Sequence, residues 1–271
     1  MSIQVSNVTK LYGEQKALNN VSFEIGSNEI VGFLGPNGAG KSTMMKILTC
    51  YIPASEGSAK VCGFDTNTQS IEVRKQIGYL PEHNPLYLEM YVKEFLEFIG
   101  KLYQVKNVKD RVKEMIDLTG LQIEQNKKIG ALSKGYRQRV GLAQAIIHDP
   151  KVLIMDEPTT GLDPNQLEEI RGLIKKLGKQ KTVMLSTHIM QEVEAVCDRV
   201  IIINKGEIVA NDNTQTLQKN NTKQIITVEF DKEVSVNSLK SIQGVEDAIL
   251  IDGKTWKVIS DVENDVRKEL F

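Results

Sequence analysis

The sequence is poor in several features that would place it in other protein classes. Its three cysteines, Cys50, Cys62 and Cys197, show no Cys-x-x-Cys or Cys/His spacing in 271 residues, which excludes a disulfide framework and a cysteine-based metal site. No apolar run approaches the roughly 20 residues that cross a bilayer, and the start MSIQVSNVTK does not resemble a signal peptide. We therefore expect a cytoplasmic chain that reaches a membrane only by docking on another protein.

The sequence also lacks an excess of charge of either sign. It has 34 basic and 35 acidic side chains, for a formal net charge of −1. A dedicated nucleic-acid-binding protein carries a basic footprint, so we expect no nucleic-acid partner. The length suffices for one large α/β domain and a small second unit.

Short apolar runs separated by helical segments predict an α/β architecture. The predicted strands are Ile3–Val8, Val21–Ile25, Glu29–Leu34, Ile77–Leu80, Val152–Met155, Val183–Ser186 and Val200–Ile203. Apolar residues at helical spacing interrupt this pattern from about residue 86 to 131. With the amphipathic helix that follows, they predict an inserted helical subdomain over about residues 86–148.

The last quarter of the chain changes character. After a turn at Lys205–Gly206, a polar stretch at Asn211–Thr216 and a short leucine-bearing helix, Asn220–Asn221 marks a plausible boundary. We assign residues 1–218 to a main domain and residues 219–271 to a β-α-β-β-α extension, which is ferredoxin-like but lacks its last strand. Either the chain is truncated or that strand comes from elsewhere, and both explanations stay open.

A glycine-rich loop between a predicted strand and a predicted helix matches G-x-x-x-x-G-K-[ST]. In this motif backbone N–H groups converge on phosphate oxygens, the lysine reaches the β- and γ-phosphates, and the serine hydroxyl ligates Mg²⁺. A chance glycine-rich turn is the alternative, but the strand and helix on either side disfavour it. The predicted nucleotide-binding residues here are Gly35, Pro36, Asn37, Gly38, Ala39, Gly40, Lys41, Ser42 and Thr43.

A second candidate is the apolar strand that ends in Asp156 and Glu157. Asp156 is suited to hold Mg²⁺ through water, and Glu157 to orient or deprotonate an attacking water. Taken alone, such a strand end is as well explained by two solvated charges. The phosphate-binding loop makes the catalytic interpretation the better one.

The third motif, LSKGYRQRV, starts an amphipathic helix with Ser133, which is a helix N-cap and an anion site at once. By itself it would be an ordinary cap. Placed ahead of the Asp156 strand, it resembles the LSGGQ signature of ATP-binding-cassette (ABC) ATPases, and the joint resemblance covers residues 2 to about 215. The matching signature residues are Leu132, Ser133, Lys134, Gly135 and Tyr136.

The resemblance implies roles for further residues. Tyr12 corresponds to the aromatic residue that stacks on adenine, Asp163 belongs to the D-loop, and His188 corresponds to the switch histidine at the γ-phosphate. Two departures stand out. Glu82 occupies the position of the Q-loop glutamine, where it is a candidate Mg²⁺ ligand and catalytic residue, and the signature has Lys134 and Tyr136 in place of Gly and Gln.

For the whole chain, the resemblance implies a P-loop NTPase cassette with N-terminal antiparallel strands, using ATP and Mg²⁺. It implies a dimer with a second copy, in which each signature completes the partner's site, and a separate transmembrane permease docking near residues 82–103 on the inner face of the membrane. The stretch GYLPEHNPLYLEMYV resembles the drug and polysaccharide exporter branch, and within it the ATP-binding subunits associated with gliding motility.

Two other functions remain open from the sequence. One is an ABC ATPase that acts on a ribosome or DNA, although neither a second cassette nor a long coiled-coil insertion is present. The other is a nucleotide sensor that closes on ATP without hydrolysing it. We expect an active enzyme that tolerates both Glu82 and Tyr136.

Overall fold

The computed structural model describes residues 1–214, 216, 223–232, 234–261 and 266–270. The chain divides into two units, Met1–Asp212 and Asn213–Phe271. The strands are β1 Ile3–Tyr12, β2 Gln15–Ile25, β3 Ile30–Leu34, β4 Glu56–Val61, β5 Phe64–Asp65, β6 Ile77–Leu80, β7 Val152–Asp156, β8 Thr182–Thr187, β9 Arg199–Asn204, β10 Glu207–Asn213, β11 Lys223–Glu229, β12 Val245–Asp252 and β13 Thr255–Asp261. The helices are α1 Lys41–Leu48, α2 Ser70–Gln76, α3 Val92–Leu102, α4 Val108–Thr119, α5 Lys134–Ile146, α6 Pro164–Gly178, α7 Met190–Val196, α8 Val236–Lys240 and α9 Arg267–Leu270, with a 3₁₀ turn at Ile129–Ala131.

A six-stranded sheet forms the centre of the first unit, in the order β10-β9-β3-β8-β7-β6. Strand β3 pairs in parallel with β8 and β9, and β7 pairs in parallel with β6 and β8. Every residue of β7 and β8 is buried, as expected for strands covered on both faces. All these parallel strands therefore end at the same edge.

The N-terminal antiparallel sheet predicted from the family resemblance is confirmed. Its order is β2-β1-β4-β5, and β1 pairs antiparallel with both β2 and β4. Its inner face, through residues such as Ile3, Leu18 and Phe23, joins the central sheet and α1 in one apolar core. The two sheets thus hold the loop after β3 between them.

Helices α3, α4 and α5 pack together in the predicted helical region, where Tyr91 and Lys128 also form an isolated antiparallel bridge. Strand β10 lies beside β9 and extends to Asn213, so it includes the first three residues of the polar stretch Asn211–Thr216. Among the described residues, no helix is long and apolar enough to span a membrane.

The second unit has the predicted β-α-β-β-α order. Its antiparallel sheet has the order β11-β13-β12, and Val228, Leu239, Trp256 and Val258 contribute to its own core. The predicted Asn220–Asn221 boundary, Leu217 of the predicted short helix and Val262 of the predicted last helix lie outside the described residues.

Candidate functional site

Four loops meet at the carboxyl edge of the parallel sheet, where open α/β sheets bind their ligands. The glycine-rich loop follows β3, Glu82 follows β6, Glu157 follows β7 and His188 follows β8. With Tyr12 of β1 they border one cavity of about 700 Å³. Its walls comprise Tyr12, Gln15, Lys16, Ala17, Asn37, Gly38, Gly40, Lys41, Ser42, Thr43, Glu82, Glu157, Thr160, His188 and Lys205.

The glycines of the loop are required by close backbone approach. A Cβ on Gly35 would lie 2.3 Å from the carbonyl oxygen of Ile203, and one on Gly40 would lie 2.6 Å from that of Ala17. Gly40 also has φ +108°, in the region that disfavours other residues. The loop thus packs closely between β9 and β2, and α1 starts directly after it.

Lys41 is the buried cation of the cavity, with 6% of its surface exposed. Its Nζ donates hydrogen bonds to the carbonyl oxygens of Gly35 at 2.7 Å and Pro36 at 3.1 Å. It also lies 3.8 Å from Glu157 Oε1. The ammonium therefore stands inside the loop, within reach of the carboxylate at the end of β7.

Glu157 is the centre of the polar contacts in this cavity. His188 Nδ1 lies 3.0 Å from both of its carboxylate oxygens, and Thr160 Oγ1 donates to Oε2 at 3.2 Å. Because an ionised carboxylate only accepts, the proton of this pair belongs on Nδ1, which leaves His188 Nε2 for another partner. Glu157 has φ +49°, a conformation that costs about 1–2 kcal/mol for a non-glycine residue. The fold holds this side chain in a specific place at some cost in stability.

Asp156 lies behind the cavity and does not line it. It is 4% exposed, and Ser186 Oγ of β8 donates a hydrogen bond to its Oδ1. The same hydroxyl accepts a bond from the Glu157 backbone N–H at 3.2 Å. Burial, reinforced by the negative charge of Asp156, raises the pKa of the Tyr79 hydroxyl on β6. Ser186 thus ties both acidic residues to the neighbouring strand.

Tyr12 and Glu82 form more open parts of the cavity. The ring of Tyr12 is half exposed, with Lys10 Nζ 5.4 Å from its centroid. The Glu82 carboxylate lies 4.0 Å from Nδ1 of exposed His83. Both side chains face solvent, so neither is fixed in place by surrounding residues in the way that Glu157 is.

The signature residues lie apart from the cavity of their own chain. Ser133 caps α5, accepting from the Tyr136 N–H at 3.4 Å; Leu132 and Gly135 are buried. Asp163 caps α6, accepting from the Gln166 N–H at 2.9 Å. The two helix starts adjoin, because added Cβ atoms on Gly135 and Gly161 would strike the side chains of Gln166 and Lys134 respectively. The Lys134 that replaces a family glycine therefore lies over the D-loop of the same chain.

Several cavity residues were not identified from the sequence: Gln15, Lys16, Ala17, Thr160 and Lys205. Lys205 is the clearest omission, since the sequence marked Lys205–Gly206 only as a turn. Gly206 N–H donates to the Ala39 carbonyl at 3.0 Å, and its own carbonyl accepts from Asn19 N–H at 2.9 Å. The turn is thereby fastened to the phosphate-binding loop. Thr160 had a local signal, its position three residues after Glu157.

A second concave surface, which we call the groove, lies between the sheet core and the helical region. Its volume is about 520 Å³, and Tyr51 and Leu102 at its border are 71% and 68% exposed. Its other lining residues are Thr49, Cys50, Arg74, Ile77, Tyr79, Pro81, Asn84, Pro85, Ile99, Tyr103, Gln144, Ala145 and His148. The predicted docking stretch 82–103 supplies one wall of it.

The groove contains polar atoms that the fold leaves unsatisfied. Asn84 Nδ2, Gln144 Oε1 and His148 Nδ1 are buried without a hydrogen-bond partner within the described part of the chain. His148 stacks on Tyr103 with ring centroids 3.9 Å apart, and its Nε2 lies 3.0 Å from the Ile77 carbonyl. Burial lowers the pKa of His148 and raises that of Tyr103.

Comparison with known proteins places these features in a family context. A family model for ABC transporters matches residues 18–160. The ABC transporter ATP-binding protein NatA of Bacillus subtilis is 41% identical over 206 residues, 74% of this chain and 84% of that protein. The bacitracin transport ATP-binding protein BcrA of Bacillus licheniformis is 35% identical over 225 residues, 82% of this chain and 73% of that protein.

Solved structures agree with the fold. The dimeric structure of an ATP-binding cassette in a post-hydrolysis state, bound to ADP and Pi, superposes with a TM-score of 0.72 and 30% identity. It covers 78% of this chain and 98% of the other. An ATP-binding subunit of an ABC transporter superposes with a TM-score of 0.74 at 26% identity, covering 81% of this chain and 93% of that one.

Proposed function

The chain belongs to the ATP-binding subunits of ABC transporters and hydrolyses ATP, and we propose that two copies of it enclose Mg-ATP between them to drive an export permease. The observation that carries this proposal is the meeting of Lys41, Glu157 and His188 in one cavity at the end of a glycine-rich loop. The role of each residue below belongs to the proposal.

ATP binds with its phosphates in the loop of residues 35–43. Backbone N–H groups and the start of α1 favour an anion there, and Lys41 exchanges the carbonyls of Gly35 and Pro36 for phosphate oxygens. Tyr12, which is half exposed at the far side of the cavity, stacks on the adenine. Lys16 and Lys205 add positive charge to the same wall.

The oxygen donors at the cavity fit Mg²⁺, which when bound would neutralise charge on the transferred phosphate. Ser42 and Glu82 line the cavity, and Asp156 lies behind it. No cluster of three or more metal-ligating side chains occurs in the described ranges. That donor set suits an ion held mostly by water and phosphate, as Mg²⁺ prefers.

Hydrolysis requires a base for the attacking water and a side chain that contacts the transferred phosphate. Glu157, held by Thr160 and His188, accepts the proton of the attacking water or orients it. His188 donates a hydrogen bond from Nδ1 to Glu157 and presents Nε2 to the γ-phosphate. Most of the rate gain comes from fixed geometry and electrostatics, because phosphoryl transfer asks little covalent chemistry of the protein.

The site is completed by a second copy of the chain. The signature residues around Ser133 lie outside the cavity of their own chain, so they serve the site of a partner. An arginine finger supplied in trans contributes about 10³–10⁵ in rate, or roughly 4–7 kcal/mol. Helix dipoles from the signature supply less than a full charge does.

The permease docks in the groove. Exposed aromatic rings make this surface suited to another protein chain, as do three buried polar atoms that have no hydrogen-bond partner in the described part of the chain. The Nod factor export ATP-binding protein I of Rhizobium meliloti is 34% identical to this chain over 223 residues, and its name supports an export permease. The gliding-motility branch of the drug and polysaccharide exporters is our finer assignment, and it rests on the stretch GYLPEHNPLYLEMYV.

The decisive test is Glu157→Gln, with exposed Glu56→Gln as the matched control. We expect Glu157→Gln to lower kcat at least 100-fold with ATP affinity retained, and Glu56→Gln to leave both unchanged. Equally negligible turnover in the parent and in Glu157→Gln would instead identify a nucleotide sensor. If the parent binds Mg-ATP without turnover and the Glu82→Gln variant hydrolyses it, Glu82 is the cause of the missing activity.

A further inference from the structure

A buried carboxylate outside the proposed chemistry lies directly behind the catalytic pair. Glu192, in the first turn of α7, is 6% exposed. Thr159 Oγ1 donates to its Oε1 at 2.5 Å, and Thr187 Oγ1 donates to its Oε2 at 2.6 Å. One carboxylate thus binds hydroxyl groups from two separate segments of the chain.

Those two segments are the ones that carry the proposed catalytic residues. Thr159 lies two residues after Glu157, and Thr187 immediately precedes His188. The catalytic side chains meet at 3.0 Å on the cavity side. Glu192 therefore joins the same two loops a second time, from within the protein.

The Thr187 hydroxyl has no freedom left to point elsewhere. It accepts a hydrogen bond from the Ile189 N–H at 3.1 Å while its own proton goes to Glu192. Both roles of the hydroxyl are used, so its orientation is set. The position of His188, between Thr187 and Ile189, follows from this arrangement.

Stability alone gives little reason for a carboxylate at this place. Burying a carboxylate costs free energy that its hydrogen bonds must offset. An apolar side chain of similar size would avoid that cost. The placement of Glu192 between the segments that carry Glu157 and His188 therefore points to a functional purpose.

We infer that Glu192 is a positioning residue, which holds the Glu157 loop and the His188 loop at the separation that hydrolysis requires. This inference rests on the proposed roles of Glu157 and His188. Nucleotide binding, which depends on the loop of residues 35–43, does not need the Glu192 bridge. Loss of the bridge therefore lowers kcat and leaves the KM for ATP nearly unchanged.

The test compares two replacements of Thr159. Thr159→Val keeps the shape of the side chain and removes its hydroxyl. We expect kcat to fall about 10- to 100-fold, because misplacement of catalytic groups by about 1 Å has an effect of this order. The KM for ATP should change less than about threefold. Thr159→Ser keeps the hydroxyl and should restore most of kcat. The control is Thr119→Val in α4, which removes another fully buried hydroxyl, one that donates to the Met115 carbonyl at 2.7 Å.

Thermal unfolding of all three variants distinguishes a loss of catalytic positioning from a loss of stability. Thr119→Val should lower Tm as Thr159→Val does, but with the kcat of the parent. A Thr159→Val protein with parental kcat overturns the inference, as does a Thr119→Val protein whose kcat falls equally. If Glu157→Gln also retains full turnover, the proposed function is wrong as well. If Glu157→Gln loses turnover and Thr159→Val does not, only the inference about Glu192 is wrong.

Discussion

The cavity at the sheet edge and the groove differ in how their polar atoms are satisfied. Around the cavity, Lys41, Asp156, Glu157 and Glu192 each have hydrogen-bond or ionic partners within the chain. In the groove, Asn84, Gln144 and His148 each have a buried polar atom that finds no partner among the residues that the structure describes. Both surfaces are concave and belong to the same unit.

This difference matches the two proposed uses, which are ATP hydrolysis in the cavity and association with the permease at the groove. Catalytic groups need fixed geometry before the substrate arrives, and internal hydrogen bonds supply it. An unsatisfied buried polar atom costs about 1–3 kcal/mol, which a partner chain recovers by supplying the missing donor or acceptor. This fits our proposal that the permease docks in the groove.

The largest expected effect concerns the cavity. Lys41→Ala removes a cation with two hydrogen bonds to loop carbonyls, which phosphate oxygens replace in our proposal. Loss of charge-assisted bonds worth about 1.5–3 kcal/mol each should weaken ATP binding about 100-fold or more. Titration with a fluorescent ATP analogue measures it. Exposed Lys46→Ala on the same helix is the control, and equal affinities of the two variants would show that Lys41 does not bind phosphate.

An intermediate effect concerns the groove. Gln144→Leu removes an unsatisfied buried oxygen, so we expect the isolated chain to gain about 1 kcal/mol of stability. The same change removes an acceptor for the permease and should weaken the complex about tenfold, equivalent to 1.4 kcal/mol. Thermal unfolding of the isolated chain and co-purification with the permease measure the two sides.

The control for the groove is Gln122→Leu, at an exposed position after α4. It should change neither stability nor permease binding by a comparable amount. If Gln144→Leu destabilises the isolated chain, Oε1 has a partner in solution, and the contrast between groove and cavity fails at this residue.

The smallest expected effect is a pH dependence of stability from His148. Burial lowers its pKa in the folded chain, so the unfolded chain binds more protons between that lowered value and the ordinary value of about 6.5. Stability should therefore fall as the pH drops from 7.5 to 5.5, and His148→Gln should reduce this fall in Tm. Parallel unfolding curves at the two pH values measure the difference.

Asp65 provides the control for that experiment. Burial alone would raise its carboxyl pKa, but Thr68 donates to Oδ1 from its backbone N–H at 3.0 Å and from its hydroxyl at 3.1 Å, and these bonds lower the pKa below the ordinary value of 3.8. The stability that it contributes is present above pH 3.8 and is lost only at lower pH. Asp65→Asn should thus leave the change in Tm between pH 7.5 and 5.5 as it is in the parent. A His148→Gln variant with the parental pH dependence would contradict the role given to burial.

Local patterns predicted much of the cavity at the sheet edge. The strand Ile77–Leu80 has the predicted bounds, because a proline directly follows this short apolar segment. Tyr12, Glu82, Glu157 and His188 line one cavity as the family resemblance implied. Their individual roles stay predictions until the variants are measured.

The groove and the Glu192 bridge had no comparable signal. Cys50, Arg74 and the neighbouring pair Gln144 and His148 come from three separate segments, and only packing of the helical region on the core brings them together. The bond between Thr159 and Glu192 spans 33 residues of sequence. Neither a period nor a motif predicts contacts at such separations.

By itself the sequence determined the chemistry available to this protein: a phosphate-binding loop, two acidic residues at a strand end and a signature helix. These depend on residue type and spacing within single strand–loop–helix segments, where backbone geometry links sequence to position. Tertiary structure decided which side chains face one another. It brought Lys41 to 3.8 Å from Glu157, placed Lys134 beside Gly161 of the same chain and placed Glu192 between Thr159 and Thr187. Those outcomes depend on the pairing of β3, β7 and β8, a long-range arrangement that is set only when the whole core packs.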